Sequence, residues 1–472
     1  MDTIHSMITY SFENIRSEFL YEHLYRCLRE DIQCGKLIPN ERLPSKRSFA
    51  LHLGISIITV ENAYTQLQNE GYIYSEPRRG YFVADISAKR SPERQPMPAA
   101  EQEEPSEKWF ADFTSNAIET DMFPFATWSR VLRKTLTDEQ DYLMRPVPVS
   151  GCLPLREALS DHLQRFRGMR VAPGQIIIGA GTEYMYNLMV RFLGLRRTIC
   201  LEDPSYDKVR QVYESSGIAC RYAPMDESGI SIQALRESHA SIVHVSPSHH
   251  FPTGKVMTMT KRYELLAWAN ETDSRYIIED DYDSEFRFTG KPIPALFSMD
   301  AAGKVIYMNT FSKTLTPTIR ISYIALPPEL VLPFQETLGF LSCTVPNFEQ
   351  YALARFIRDG YFEKHVNRMR TYYRKKRDLL IRTLKKSALS SKSDIIERSS
   401  GLHFLLHLHT ARSDKEMEIR FYKKGLYMTP LSRYYHKNNL NPSHTFLMNY
   451  SSLPIKNIPE AVDRLCQAMM EK

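Results

Sequence analysis

Apolar positions recur along this chain in two rhythms. Over residues 20–33, Leu20, Leu24, Cys27, Leu28 and Ile32 fall on one face at three- and four-residue steps, which predicts an amphipathic helix stopped by Gly35. Ser45 and Gly54 bracket a second, shorter helix. Ser56 caps a third over residues 57–69, where Val60, Ala63, Tyr64 and Leu67 form the buried stripe, and Gly71 closes it. Tyr72-Ile73-Tyr74 and Tyr81-Phe82-Val83 then flank Arg78-Arg79-Gly80, as two short strands joined by a basic turn would.

From Trp109 the rhythm changes. Apolar runs at 176–178, 198–201, 242–245, 276–278, 305–308 and 321–325 read as buried strands, with helical stretches such as 183–193 and 261–270 between several of them. Strands alternating with helices predict an α/β sheet with many parallel strands. Past about 345 helices dominate: residues 348–358, then a basic helix carrying Arg368, Arg370, Arg374, Lys375, Lys376 and Arg377, read as a solvated face. A few strands follow, including 401–406, which predicts a smaller α+β domain. Between the two rhythms, residues 85–107 are rich in proline and charge and have no apolar period, as a tether would. The expected division is therefore 1–84, a linker 85–107, a large domain 108–345 and a small domain 346–472.

Composition narrows the class. A chain of 472 residues exceeds what one core usually serves, and 43% hydrophobic with 25% charged residues describes a soluble globular protein. No apolar run of about 18 residues predicts a membrane span, and Met1-Asp2-Thr3-Ile4-His5 opens no secretion signal. Seven cysteines stand singly, without a C-x-x-C pair, which argues against zinc sites and disulfides and for a reducing, cytoplasmic setting. The net charge of +6 is a weak bias.

Two chemistries follow. Two helices joined by a tight glycine turn and followed by a basic hairpin suit a winged helix-turn-helix. There the third helix enters the major groove, and Lys46, Arg47, Arg78 and Arg79 reach phosphates or the minor groove of a double-stranded operator. A small helical bundle with solvated charges remains the alternative. In the C-terminal part, Gly179-Ala180-Gly181-Thr182-Glu183 follows a strand and opens a helix, where backbone N–H groups bind phosphate. Asp280 at a strand end can hold a pyridine nitrogen protonated, and Tyr282 can reach a ring phenolate. Lys313 can form an imine, while Thr310, Ser312 and Arg320 complete a phosphate cup. That set suits pyridoxal 5′-phosphate, PLP.

The motifs also carry a resemblance. Pro44-Ser45-x-Arg47, Thr59-Val60, Glu70-Gly71-Tyr72 and Arg79-Gly80-Tyr81-Phe82-Val83 resemble the GntR-type winged-helix signature. That implies DNA contacts from Pro44, Ser45, Lys46, Arg47, Ser56, Thr59, Asn62, Arg78, Arg79 and Gly80. Family members usually carry arginine where this chain has Ile57, so Arg47, Thr59 and Asn62 are expected to bear more of the binding. The stretches Ser246-Pro247-Ser248-His249-His250-Phe251-Pro252-Thr253-Gly254, Ile278-Glu279-Asp280-Asp281-Tyr282 and Thr310-Phe311-Ser312-Lys313 resemble fold type I aminotransferases. Joined to a winged helix, the whole is similar to the MocR branch of GntR regulators, whose aminotransferase-like domain serves as effector sensor.

The resemblance implies that Lys313 is the Schiff-base lysine, that Asp280 pairs with the pyridine nitrogen and that Tyr282 bonds the ring hydroxyl. Tyr206 would stack on the ring, Gly181, Thr182 and Glu183 would lie beside the phosphate, and Arg433 would clamp an effector carboxylate. A head-to-tail homodimer is implied as well. Three departures stand out. Phe251 replaces the asparagine that bonds the ring hydroxyl in aminotransferases, which fits sensing rather than turnover. Lys208 stands where the GABA-responsive member has arginine. Glu183 replaces a neutral residue, and its carboxylate is expected to turn away from the phosphate. The expected function is a PLP-dependent transcriptional regulator sensing PLP, or an amino compound that forms an aldimine with it, with at most weak transaminase activity. An active aminotransferase with a vestigial winged helix is the alternative.

Overall fold

The computed structural model describes residues 8–12, 19–86, 109–115, 117–288, 293–398, 401–436 and 444–471. Two compact units divide the chain at residue 106, and most of the expected linker lies outside the described residues.

In the first unit, helices α1 (Leu20–Cys34), α2 (Lys46–Leu53) and α3 (Ile57–Asn69) precede a hairpin of β1 (Ile73–Glu76) and β2 (Gly80–Val83). The caps are those the sequence predicts. Ser45 Oγ accepts from the Ser48 N–H and Ser56 Oγ from the Thr59 N–H, while Gly35 and Gly54 close their helices in the left-handed region. Val60, Ala63, Tyr64 and Leu67 pack with Leu24, Leu28, Ile32 and Phe49 into one core.

In the second unit, β3 (Ala111–Asp112) comes first. A seven-stranded sheet follows, built from β4 (Ile176–Gly179), β5 (Thr198–Asp203), β6 (Ala219–Pro224), β7 (Ile242–Val245), β8 (Tyr276–Asp280), β9 (Val305–Thr310) and β10 (Ser322–Ala325). Its order is β4-β10-β9-β8-β7-β5-β6. The run β9-β8-β7-β5-β6 is parallel, and β10 lies antiparallel to both β9 and β4. Helices cover both faces, so the central strands are buried throughout and read as continuous apolar runs. The strand missing from the sequence reading is β6. It is an edge strand with mostly exposed or half-buried positions, and so carries no such run. A smaller three-stranded sheet joins β11 (Ser393–Ile396), β12 (His403–Leu408) and β14 (Thr445–Asn449), while β13 (Leu426–Tyr427) pairs in parallel with β3.

Packing departs from the expected break near 345. The helix Asn347–Arg358 packs on the helices Leu153–Arg167 and Phe125–Asp138 beside the large sheet. Ala111, Phe113 and Met122 instead join the C-terminal core with Phe404, Phe446 and Leu465. The long helix Tyr361–Lys386 passes between the cores: Phe362 and Val366 lie in the first, Tyr373, Leu380 and Leu384 in the second. Its basic residues do not form one solvated face. Lys376 is buried, paired with Glu119 and donating to the Ser451 carbonyl, and Arg377 pairs with Glu397. Arg370 donates to the Glu285 carbonyl and Arg368 to that of Met122, and Arg368, Arg374 and Lys375 are the exposed members. No helix among the described residues is long and apolar enough to cross a membrane.

Candidate functional site

The carboxyl ends of β7, β8 and β9 and the start of the helix Thr182–Leu193 enclose a cavity of about 270 Å³. Lys313, Asp280, Tyr282, Tyr206, Thr182, Glu183, Thr310, Ser312, Arg320 and Lys208 all line it, although they come from positions up to 138 residues apart (Thr182 to Arg320).

Lys313 follows β9 by three residues. Burial pushes its ammonium down to about 8 against the opposing attraction of the Asp283 carboxylate. Asp280 ends β8 and is almost fully buried. Its Oδ2 accepts from the Tyr186 hydroxyl at 2.6 Å and lies 3.3 Å from His244 Nε2, while its Oδ1 is buried with no hydrogen-bond partner among the described residues. An unpartnered carboxylate oxygen in a desolvated cavity is costly unless a donor meets it there. Tyr282 places its hydroxyl 3.3 Å from His249 Nδ1, which also meets Asp283 Oδ2 at 2.8 Å.

At the other end, Thr310 Oγ1 donates to Ser312 Oγ and accepts from the Ser312 N–H and from Ser322 Oγ. Arg320 adopts a left-handed φ of 50°, and its guanidinium lies against Gly181. A Cβ built on Gly181 would displace the Arg320 guanidinium, and φ there is +88°, so the backbone requires glycine and the close approach of Arg320 depends on it. Gly181 also caps the helix that opens at Thr182, whose first N–H groups carry the positive end of the helix dipole.

Two expectations fail. Arg433 does not reach the cavity: it is largely exposed and pairs with Glu418 at 2.9 Å, because the short turn Leu431–Tyr434 directs it to the helix Asp414–Lys423. Phe251 lines the cavity, as a residue that offers no donor, with its ring 5.3 to 5.4 Å from those of Tyr206, His403 and Tyr434. The Glu183 carboxylate does not turn away either; it bridges Lys208 and Arg320.

Sequence reasoning missed Tyr186, His244, Asp283 and the pair His249 and His403, whose rings lie 4.7 Å apart and tilted by 40°. Tyr186 was available as the residue one helical turn beyond Thr182. His403 enters from the smaller sheet, which no local pattern signals.

In the first unit, Arg47, Asn62 and Arg78 are exposed, and Arg78 turns the hairpin with φ of 64°. Gly80 follows it with φ of 114°. Other expected DNA contacts are engaged locally. Lys46 pairs with Glu61 at 2.6 Å over the Tyr81 ring, Arg79 pairs with Glu76, and the Ser45 and Ser56 hydroxyls serve as caps. Thr59 Oγ1 bonds Ser56 Oγ, and the Pro44 carbonyl accepts from Tyr64. Ile57 and Ile58 leave an exposed apolar pair at the start of α3.

Comparison with known proteins decides the family. Residues 20–83 match the bacterial regulatory proteins of the gntR family, and residues 111–465 match aminotransferase class I and II. The uncharacterized HTH-type transcriptional regulator YdeL of Bacillus subtilis (strain 168) is 37% identical over 450 residues, covering 94% of this chain and 96% of its own. The probable rhizopine catabolism regulatory protein MocR of Rhizobium meliloti is 31% identical over 466 residues, covering 96% and 94%. The chain belongs to the MocR branch of the GntR-type transcriptional regulators. Among solved structures, the kynurenine aminotransferase of Pyrococcus horikoshii matches with a TM-score of 0.68 at 24% identity, over 82% of this chain and 99% of that one, which shows a fold type I architecture for the regulator's second unit.

PLP is the cofactor of this domain family, and the regulator's residues fit it. The unpartnered Asp280 oxygen suits a protonated ring nitrogen, the Gly181 cradle with Arg320 suits a phosphate, and the Lys313 amine lies in the same cavity.

Proposed function

We propose that the regulator couples occupancy of this cavity by PLP, or by PLP joined to an amino compound, to the binding of its winged helix on an operator. The observation that carries the reading is the meeting of Lys313, the unpartnered Asp280 oxygen and Arg320 in one cavity, on a chain that also bears a DNA-binding unit. When bound, PLP supplies an aldehyde that condenses reversibly with primary amines. Lys313 offers the amine, and a depressed ammonium makes it a nucleophile near neutral pH. Asp280, braced by Tyr186 and His244, would keep a ring nitrogen protonated. Thr182, Ser312, Thr310 and Arg320 would hold the phosphate, Tyr206 and Tyr282 would flank the ring, and the Asp283 carboxylate, itself bonded to His249, favours the charged form of Lys313.

Phe251 brings no donor to the ring hydroxyl and is packed among aromatic rings, which supports sensing with at most weak transamination. A cytoplasmic homodimer suits the reading, because paired winged helices read two half-sites. Coupling requires the ligand to favour one arrangement of the protein over another. Footprinting on the DNA upstream of the regulator's own gene tests it: protection that changes on adding PLP is expected. No protection with or without PLP sinks the reading.

A further inference from the structure

Glu183 sits one residue inside the helix that opens the phosphate end of the cavity, and its two oxygens serve two cations. Lys208 pairs with one, and Arg320 Nη2 lies 3.2 Å from the other. The three side chains are between 38% and 50% exposed, so the group lies at the mouth of the cavity rather than in its floor. The hydrogen bond from Lys208 holds the Glu183 carboxyl below its usual range, and the same bond holds the Lys208 ammonium above its own. Both stay charged at neutral pH.

The guanidinium best placed to meet a phosphate is therefore shared with a carboxylate. A phosphate beside Thr182 and Arg320 is attracted by the helix dipole and the guanidinium, yet it has a like charge only one guanidinium away. Lys208 offsets part of that repulsion. We propose that Glu183 sets the affinity for phosphorylated pyridine low, with Lys208 as its counter-charge, so that site occupancy follows the free PLP concentration. This rests on the reading that PLP binds the cavity, and it favours PLP itself as the signal: a ligand held at a Kd near its ambient concentration reports changes that a tightly held one hides.

The competing role for Glu183 is a splint that aims Arg320, and it has the opposite sign. Full-length wild type, Glu183→Gln, Lys208→Gln and the double variant are titrated with PLP, followed by visible absorbance and by the heat-unfolding midpoint. Unphosphorylated pyridoxal serves as the control. Glu183→Gln should tighten PLP binding about twofold to fivefold, within what exposed, solvent-screened charges allow. It should leave pyridoxal binding unchanged. Lys208→Gln should weaken PLP binding, and the double variant should lie between Glu183→Gln and wild type. PLP binding to Glu183→Gln that is equal to or weaker than wild type overturns the proposal, as does an equal gain for pyridoxal. A wild type showing neither absorbance change nor heat stabilisation at any PLP concentration overturns the cofactor reading itself.

Discussion

The two units use charge in opposite ways. In the winged helix the candidate cations, Arg47 and Arg78, stand in solvent, and Lys46 and Arg79 are partnered by surface carboxylates. In the cavity, Asp280 and Lys313 are desolvated and served by a few fixed partners. Solvated charges attract a polyanion at long range and exchange partners cheaply, whereas desolvated ones bind only a ligand of matching shape and charge. One unit is suited to a long, uniform surface and the other to one small molecule.

The sharpest way to break this contrast is to remove the buried amine. Lys313→Ala should abolish the visible absorbance of bound PLP and weaken its binding about a hundredfold or more, roughly 2.8 kcal/mol. Full-strength binding by the variant would mean that the cavity holds its ligand by packing alone. The same lysine predicts a pH dependence. Its folded value, near 8, lies below the ordinary lysine range, so the reactive neutral amine grows as pH rises. The rate of PLP capture should climb from pH 7 and level off above about 9. Stopped-flow absorbance would show this, and a flat profile would contradict the desolvated setting. In stability terms a depressed lysine binds fewer protons folded than unfolded, so its contribution should improve with pH between about 8 and the unfolded value near 10.5.

Asp280→Asn is the next largest perturbation. Asparagine can still accept from Tyr186 but brings no negative charge to a protonated ring nitrogen, so PLP binding should weaken about tenfold. Because the residue is buried, the heat-unfolding midpoint without ligand is the control. A fall in that midpoint with unchanged PLP affinity would reduce Asp280 to a structural role.

How much of this could be read from the chain depends on distance along it. The winged helix was legible nearly residue by residue, because Ser45, Gly54 and Ser56 act on neighbours three or four positions away. The central strands were legible because burial on both faces leaves continuous apolar runs, and β6 was hidden because an edge lacks one. Lys313, Asp280 and Arg320 lie at element ends that the pattern marks. The Asp280 partners Tyr186 and His244 arrive from another helix and another strand, and the destination of Glu183 depended on Lys208 and Arg320, 25 and 137 positions on. The site of Arg433 depended likewise on Glu418, a partner in another element.

In the winged helix, Arg47→Ala should weaken operator and unrelated DNA about equally, by about tenfold at moderate salt, and should lower the slope of log affinity against log salt by about one. Fluorescence anisotropy at several salt concentrations would measure both. A loss confined to the operator would instead make Arg47 a base-reading residue and bring this surface closer in kind to the cavity.

The smallest effect should come from Arg433→Ala. The side chain is exposed, outside the cavity and paired with Glu418, and a surface ion pair is worth about 0 to 1 kcal/mol. PLP affinity should therefore change less than about twofold, and so should the response of DNA binding to carboxylate-bearing amines. A carboxylate clamp would behave differently: the response to an amino acid would be lost while the response to a simple amine survived. That result would show Arg433 leaving Glu418 for a ligand, and would mean that a solvated charge of the kind found on the winged helix also serves the cavity.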